Sequence, residues 1–250
     1  MSRSLLLVYV WLLAAVPAAA QQPESPDVAA PLSSVKLFLT TIASDFAHVP
    51  RATNLEILAA GAALALAAVP YDRTITAEVS EPSTWEEVLD PGEHIGHGAV
   101  QIGGTLAAYV VGRMSHNTTL AALGGDLTRV QIVNGAVTHA LKFAWPRVRP
   151  DGTRRSFPSG HTSATVATAM VLQRHFGWKA GVPAALVASY VGVSRLSENK
   201  HYASDVIFGT AVGIVAGRSV TVGRGHSQFR VAPFAVHAGG GVAFALVPSS

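Results

Sequence analysis

The stretch Ser156–Phe176, "SFPSGHTSATVATAMVLQRHF", sets the frame for the rest of the chain. It opens with a proline, a glycine and a histidine, and an alanine-rich run typical of a helix follows from Thr162. Ser159 stands where a helix N-cap is expected, since a serine hydroxyl accepts a hydrogen bond from a free N–H there. Such a helix start also offers free N–H groups and a positive dipole end to an anion. Capping explains the serine but gives His161 no role.

Apolar residues recur at helical spacing on both sides of this stretch, so the chain is predicted to be helical to about residue 220. A capping-box pattern at Thr53–Glu56 opens one of these helices, and Pro70 is expected to end it. The predicted helices are Leu32–Val49, Leu55–Val69, Ala99–Met114, Leu120–Ala144, Thr162–Phe176, Val182–Leu196 and Ser204–Val220. The predicted fold class is therefore all-α, a compact bundle of about six core helices.

The C-terminus has a different character. Phe229–Val236 and Val242–Val247 are rich in apolar and β-branched residues and flank the glycines Gly239–Gly241. This pattern predicts two short strands around a glycine turn, a small β-hairpin appended to the helical domain.

The composition is unusually apolar for a soluble protein. Of the 250 residues, 49% are hydrophobic and 13% charged, against about 25% charged in typical soluble domains. The net charge is +3 with no run of lysine or arginine, so nucleic acid is not an expected partner. The absence of cysteine excludes disulfides and thiolate metal sites.

The N-terminus predicts export. Arg3 precedes the apolar run Leu5–Val16, and Ala18–Ala20 supplies a small-residue end, as in a secretory signal peptide. We expect a signal peptide at 1–20, a linker and amphipathic helix at 21–50, a helical domain at 51–220 and a tail at 221–250. An uncleaved anchor is the alternative, and either places the helical domain outside the cytoplasm, in the periplasm or associated with the membrane.

The apolar runs are short for membrane spans. Leu55–Val69 has 15 residues and Ala180–Val193 has 14, whereas a span needs about 18–20. Length therefore favours a periplasmic or peripherally bound domain, although clustered apolar helices can also insert as a bundle.

Three segments carry residues suited to chemistry on a tetrahedral oxyanion. Arginine offers forked donors to phosphate oxygens, lysine adds a point charge, and a histidine beside a carboxylate can act as a base or nucleophile. His201 and Asp205, four residues apart, would share one face of a helix. The segments are Lys142 to Arg149-Pro150, Pro158-Ser159-Gly160-His161, and Ser194-Arg195 to His201 and Asp205.

Together these segments resemble the three signature motifs of the type 2 phosphatidic acid phosphatase and vanadium haloperoxidase superfamily. The motifs are Lys, six residues, Arg-Pro; then Pro-Ser-Gly-His; then Ser-Arg, five residues, His, three residues, Asp. The resemblance implies that His201 is a nucleophile that forms a phosphohistidine, that Asp205 orients it, and that His161 is the general acid and then the base. It implies that the phosphate is bound by Lys142, Arg149, Ser159, Gly160 and Arg195, without a metal or other cofactor.

The expected activity is hydrolysis of phosphate monoesters or pyrophosphates, with a bell-shaped, mildly acidic pH profile. The apolar helices and the predicted export favour a lipid phosphate, such as phosphatidate or an isoprenyl pyrophosphate, and membrane association. A non-specific periplasmic acid phosphatase acting on soluble esters is the alternative. The short loop between Pro150 and Pro158 disfavours a vanadium haloperoxidase. The intact motifs disfavour a non-catalytic envelope protein. The sequence leaves the oligomeric state open.

Glu93, His94, His97 and His116 could be interpreted as a metal cluster. The glycines at 92, 96 and 98 favour a loop instead, because a metal site needs defined ligand geometry as well as ligand type.

Overall fold

A computed structural model describes residues 35–80, 86–222, 227–236 and 239–248 of the chain. The predicted signal peptide at 1–20 and most of the predicted linker lie outside these residues. The helices are α1 (Val35–His48), α2 (Ala52–Ala68), α3 (Asp72–Ser80), α4 (Glu86–Leu89), α5 (Pro91–Gly96), α6 (Gly98–Met114), α7 (Thr118–Ala144), α8 (Gly160–Phe176), α9 (Trp178–Ser197) and α10 (Ala203–Ser219).

The predicted all-α bundle is confirmed. Six long helices, α2 and α6 to α10, form its body, with α8 packed against α7, α9 and α10, and α10 packed against α2. The loop 145–159 joins α7 to α8, and short connections join α8 to α9 and α9 to α10, so the end of one helix lies beside the start of the next. Fully buried valines such as Val133, Val171 and Val212 fill the space between these helices.

Glycines allow the central pair of helices, α8 and α10, to pack closely. Gly209, Gly213 and Gly217 recur every fourth residue of α10 and therefore share one face. A Cβ added at Gly213 would lie 2.5 Å from the carbonyl oxygen of Ser163, and one at Gly217 would lie 2.3 Å from Met170 Cβ. The backbones approach to a distance that no larger residue permits.

Buried charges join α1 to the end of the bundle opposite Lys142. Arg129 of α7 pairs with Asp45 of α1 and with Asp126, and Asp126 also accepts a hydrogen bond from His175 at 2.9 Å. Breaking one partner of such a buried set leaves an uncompensated charge, which costs about 3–5 kcal/mol. The network therefore fixes where α1 lies.

The helix predicted to end at Pro70 continues beyond it. Pro70 lies in a short 3-10 turn, Val69–Tyr71, from which α3 begins, so one helical segment runs through Ala52–Ser80. A proline is tolerated there because the first residues of a helical turn have no N–H partner to lose. At 29 residues this segment is long and apolar enough to cross a membrane, which corrects the expectation from the 15-residue run.

Large apolar side chains lie exposed along three helices. The exposed residues include Leu66 of α2 (71%), Met114 of α6 (77%) and Leu186 of α9 (56%). Charges on these helices are few: Glu56 on α2, Arg113 on α6, and Lys179 and Arg195 near the two ends of α9. An apolar surface of this extent marks a site of contact with lipid or protein.

Strands β1 (Ser227–Val236) and β2 (Gly239–Pro248) follow the helical domain and pair antiparallel. Val236 pairs with Gly239. The sequence placed the turn at Gly239–Gly241, but these glycines belong to β2.

Replacing Gly213 with alanine is expected to lower the free energy of unfolding by about 1–3 kcal/mol, because the new methyl group would overlap Ser163 and Val166. Gly135 of α7 is the matched control, because a Cβ added there meets nothing within 4 Å. Gly135→Ala should stabilise the protein by about 0.5–1 kcal/mol through helix propensity alone. Denaturant unfolding followed by circular dichroism measures both, and equal effects would contradict the close packing.

Candidate active site

The three motif segments meet at one end of the bundle. Lys142 lies in the last turn of α7, His161 in the first turn of α8 and Arg195 in the last turn of α9. His201 lies in the connection to α10, and Asp205 in the first turn of α10. Because neighbouring helices run in opposite directions, these positions become adjacent although they are up to 63 residues apart in sequence. All eight sequence-predicted site residues lie in this region.

The start of α8 is held by its cap. The Ser159 side chain accepts from the Thr162 N–H at 3.5 Å and shares a 2.9 Å hydrogen bond with the Thr162 hydroxyl. The Ser159 N–H donates to the Asp205 carbonyl oxygen at 3.0 Å, which ties this helix start to α10. An anion in the site would therefore meet the free N–H groups that follow Ser159, including that of His161.

Lys142 is fixed by the loop that follows α7. Its ammonium group donates to the carbonyl oxygen of Arg155 at 2.7 Å. The loop itself turns tightly, because the Arg149 N–H donates to the Thr153 carbonyl at 2.8 Å. A Cβ added at Gly160 would lie 3.7 Å from Lys142 Cε, so the lysine reaches the start of α8.

The geometry of His201 and Asp205 differs from the sequence prediction. The chain at His201 is not helical, because α10 starts at Ala203 after the N-cap Tyr202. His201 Nδ1 lies 3.7 Å from Asp205 Oδ2, which is too long for a hydrogen bond. Asp205 instead accepts from the Tyr202 N–H at 2.9 Å and from the Ser156 hydroxyl. Nδ1 is still the ring nitrogen nearest the carboxylate.

Arg147 is a site residue that sequence reasoning missed. Its guanidinium group donates to Asp205 Oδ1 at 2.8 Å and to Asp72 Oδ2 at 2.7 Å. Asp72, at the start of α3, also accepts from the Ser204 N–H at 2.9 Å. Arg147 lies two residues before the motif residue Arg149. This second arginine beside the motif was the only feature of the sequence that could have indicated its role in the site. Its partner Asp72 lies 75 residues away and carries no motif.

Arg195 contacts two carboxylates. Its Nη1 lies 2.9 Å from Glu198 Oε1 and 3.8 Å from Glu93 Oε2 of α5. Burial and the neighbouring Glu93 raise the pKa of Glu198 to about 7. The His97 ring meets the His161 ring edge-on, with 5.9 Å between centroids. These contacts bring the Glu93–His97 segment to the site.

That segment is helical, not the loop that its glycines suggested. No group of three or more His, Cys, Asp or Glu side chains is arranged to hold a metal ion within the described part of the chain. Glu93 lies beside Arg195, and the His97 ring lies beside the His161 ring.

Four buried polar atoms at this end have no hydrogen-bond partner among the described residues. They are Arg149 Nε, His161 Nε2, Arg195 Nε and His201 Nδ1. Buried donors and acceptors are normally paired, since an unpaired one costs about 1–3 kcal/mol. His201 Nδ1 faces the Asp205 carboxylate, whereas Arg149 Nε, Arg195 Nε and, when protonated, His161 Nε2 are donors. These three atoms indicate a site that receives a polar ligand with several acceptor oxygens.

The electrostatics favour a negatively charged ligand. Burial lowers the pKa of Lys142 to about 8, and Arg149 acts in the same direction. Burial lowers the pKa of His201 to about 4, and that of His161 to about 3 with a further contribution from Arg195. A dianionic phosphate would offset these effects and raise all three pKa values. His161 would thus gain its proton together with the substrate.

Comparison with known families supports this site. Residues 125–228 match the family model described as "PAP2 superfamily", a range that contains all three motifs. The resemblance drawn from the motifs is thereby confirmed.

Two curated relatives match part of the chain. Lipid A 1-phosphatase of Porphyromonas gingivalis is 42% identical over 87 residues, covering 33% of this chain and 20% of the relative. Decaprenylphosphoryl-5-phosphoribose phosphatase of Mycobacterium tuberculosis is 38% identical over 106 residues, covering 38% of this chain and 58% of the relative. The chain therefore spans less than two thirds of either relative.

One solved structure shares the fold. It is a transmembrane PAP2-type phosphatidylglycerolphosphate phosphatase from Bacillus subtilis, with a TM-score of 0.50 and 22% sequence identity. The alignment covers 67% of this chain and 93% of that one.

In the ligand-free protein the His201 imidazole is expected to titrate near pH 4, well below the usual 6.5. Asp205→Asn should lower this pKa further, since the carboxylate favours the charged ring, and added inorganic phosphate should raise it. NMR of histidine-labelled protein in detergent measures the shift, with His201→Asn identifying the signal. An unperturbed pKa of 6.5 would contradict the burial described above.

Proposed function

We propose that the protein is a phosphatase that hydrolyses lipid phosphate monoesters through a phosphohistidine on His201, and the match of residues 125–228 to the PAP2 superfamily model supports this. The phosphate is held by the side chains of Lys142, Arg149 and Arg195 and by the backbone N–H groups of Gly160 and His161, at the helix start that Ser159 caps. The residues 51–220 form the catalytic domain. The observation that carries the proposal is the set of buried polar atoms without a partner among the described residues on Arg149, His161 and Arg195.

In the first step His201 Nε2 attacks phosphorus while the bond to the leaving oxygen breaks. His201 is suited to this step because its low pKa keeps the ring neutral at physiological pH. Asp205, 3.7 Å from Nδ1, stabilises the positive charge that forms on the ring. His161 gives its proton to the leaving oxygen, which departs as an alcohol.

In the second step a water molecule attacks the phosphohistidine. His161, now neutral, takes a proton from this water as the oxygen–phosphorus bond forms and the phosphorus–nitrogen bond breaks. Inorganic phosphate leaves and His201 returns to its neutral form. The guanidinium groups of Arg149 and Arg195 stabilise the charge on the phosphoryl oxygens in both transition states.

Two observations support a lipid substrate. Both curated relatives are named for phosphatases whose substrates are lipids or lipid-linked, lipid A and a decaprenylphosphoryl compound. The exposed apolar faces of α2, α6 and α9 also give the domain a surface that fits the acyl region of a bilayer.

We propose further that the domain is membrane-associated through these faces, with the Ala52–Ser80 segment in contact with the bilayer core. The predicted signal peptide at 1–20 would place the active site outside the cytoplasm. The lengths of α2 and α6, 17 residues each, correspond to about 25 Å of helix and approach the thickness of the hydrocarbon core, about 30 Å.

His201→Asn is expected to reduce phosphate release by at least about a thousandfold, because it removes the nucleophile. His161→Asn should slow hydrolysis of an alkyl phosphate far more than of p-nitrophenyl phosphate, whose leaving group departs without a proton. Mass spectrometry after a denaturing quench at alkaline pH, at which the phosphorus–nitrogen bond survives, should detect a phosphorylated His201 peptide in this variant. Full turnover by His201→Asn would overturn the nucleophile assignment.

The membrane proposal predicts that the protein stays in the membrane pellet after carbonate extraction and needs detergent for release. Leu66→Lys and Leu186→Lys together should weaken retention, since each places a charge on a face proposed to meet lipid. Replacing the exposed Arg73 of α3 with lysine is a control that leaves the apolar faces intact. Complete release of the unmodified protein by carbonate would refute insertion.

A further inference from the structure

Helix α5 is pressed against both helices that carry catalytic groups. A Cβ added at Gly92 would lie 2.3 Å from Ser194 Oγ, and one at Gly96 would lie 2.8 Å from His161 Cβ. The Tyr190 hydroxyl, also on α9, donates to the Val88 carbonyl just before α5 at 2.6 Å. The position of α5 over the site is therefore fixed by packing on two sides.

This packing brings Glu93 beside Arg195. The Glu93 side chain is 42% exposed, whereas that of Arg195 is 3% exposed, so the carboxylate lies on the solvent side of the guanidinium group. Glu198, 16% exposed, lies on the same Arg195 nitrogen at 2.9 Å. The two carboxyl groups form an acceptor pair, "the rim carboxylates", beside the deeper phosphate site.

The rim carboxylates lie on the side from which the alcohol would leave. Under the proposed function His161 protonates the leaving oxygen, so groups around His161 surround the leaving group. His97 meets the His161 ring, and Gly96 packs on its Cβ. Glu93 lies three residues before Gly96 on the same short helix, and therefore on the same side of it.

From this placement we propose that Glu93 and Glu198 select a leaving group rich in hydroxyl donors, such as a sugar, and disfavour one that carries a second phosphate. The Glu93 carboxylate only accepts hydrogen bonds, and a hydroxyl bonded to it gains a charge-assisted contact. Glu198, whose pKa is raised to about 7, shares this role when it is ionised. A second phosphate would meet like charge at the same place. The inference rests on the proposed phosphatase function and narrows it to glycosyl phosphates among lipid phosphates, against isoprenyl pyrophosphates.

The test compares kcat/KM for four probes in one detergent: a lipid-linked hexosamine 1-phosphate, dodecyl phosphate, dodecyl diphosphate and p-nitrophenyl phosphate. The variants are Glu93→Ala and, as a matched control, Glu87→Ala, which removes the same charge from the exposed surface of α4. p-Nitrophenyl phosphate offers no hydroxyl donor, so it reports whether the catalytic groups remain intact.

The unmodified protein is expected to prefer the hexosamine phosphate over dodecyl phosphate by about tenfold or more, the discrimination that a hydrogen bond to a charged group supplies. Glu93→Ala should reduce this preference about tenfold and raise the relative rate on dodecyl diphosphate. Hydrolysis of p-nitrophenyl phosphate reports any change that the variant causes through Arg195, and the loss on the hexosamine phosphate should exceed it about tenfold. Glu87→Ala should leave all four rates within about twofold.

Two results would overturn the inference. Equal losses on all four probes in Glu93→Ala would mean that Glu93 only orients Arg195. A lack of preference for the hexosamine phosphate in the unmodified protein would mean that the rim carboxylates do not discriminate between leaving groups. Failure of the phosphatase proposal looks different, because His201→Asn would then hydrolyse p-nitrophenyl phosphate as fast as the unmodified protein.

Discussion

The close contact between α8 and α10 is the constraint on which the rest of the site depends. It is possible because α10 presents Gly209, Gly213 and Gly217 to α8, where any Cβ would overlap backbone or side-chain atoms. At the site end of this contact the Ser159 N–H donates to the Asp205 carbonyl oxygen at 3.0 Å. One packing interaction thereby sets the distance between the helix start that carries His161 and the helix start that carries Asp205.

Buried carboxylates hold cationic side chains in place at the site end of the bundle. Arg147 bridges Asp72 and Asp205, and so links α3, the loop after α7 and α10. The Asp205 carboxylate accepts hydrogen bonds from three donors, on Arg147, Ser156 and Tyr202, which makes it a rigid electrostatic partner for the His201 ring. The cations that face the ligand side, Arg149 and Arg195, keep a buried Nε without a partner. The site is thus pre-organised around positive charge, as electrostatic catalysis requires.

Much of the site could be predicted from sequence because its chemistry lies in three short segments of fixed spacing. The motif residues are charged or titratable, and such side chains are costly to bury without a partner. They are Lys142, Arg149, His161, Arg195, His201 and Asp205. Glu93, Asp72 and Arg147 could not be found in this way, because each reaches the site through packing between distant segments. Gly92 and Gly96 were interpreted as marks of a loop, whereas they allow a short helix to lie against α8 and α9.

The sequence by itself determined the helical class, the three motifs and their order, because hydrophobic periodicity and residue spacing are local properties of the chain. It also determined that Ser159 caps a helix. Tertiary structure alone decided that His201 Nδ1 lies 3.7 Å from Asp205, too far for a hydrogen bond, and that the carboxylate accepts from the Tyr202 N–H at the start of α10. It also decided that α5 lies against α8 and α9 at the site end, because only the packing of Gly92 and Gly96 brings Glu93 to Arg195.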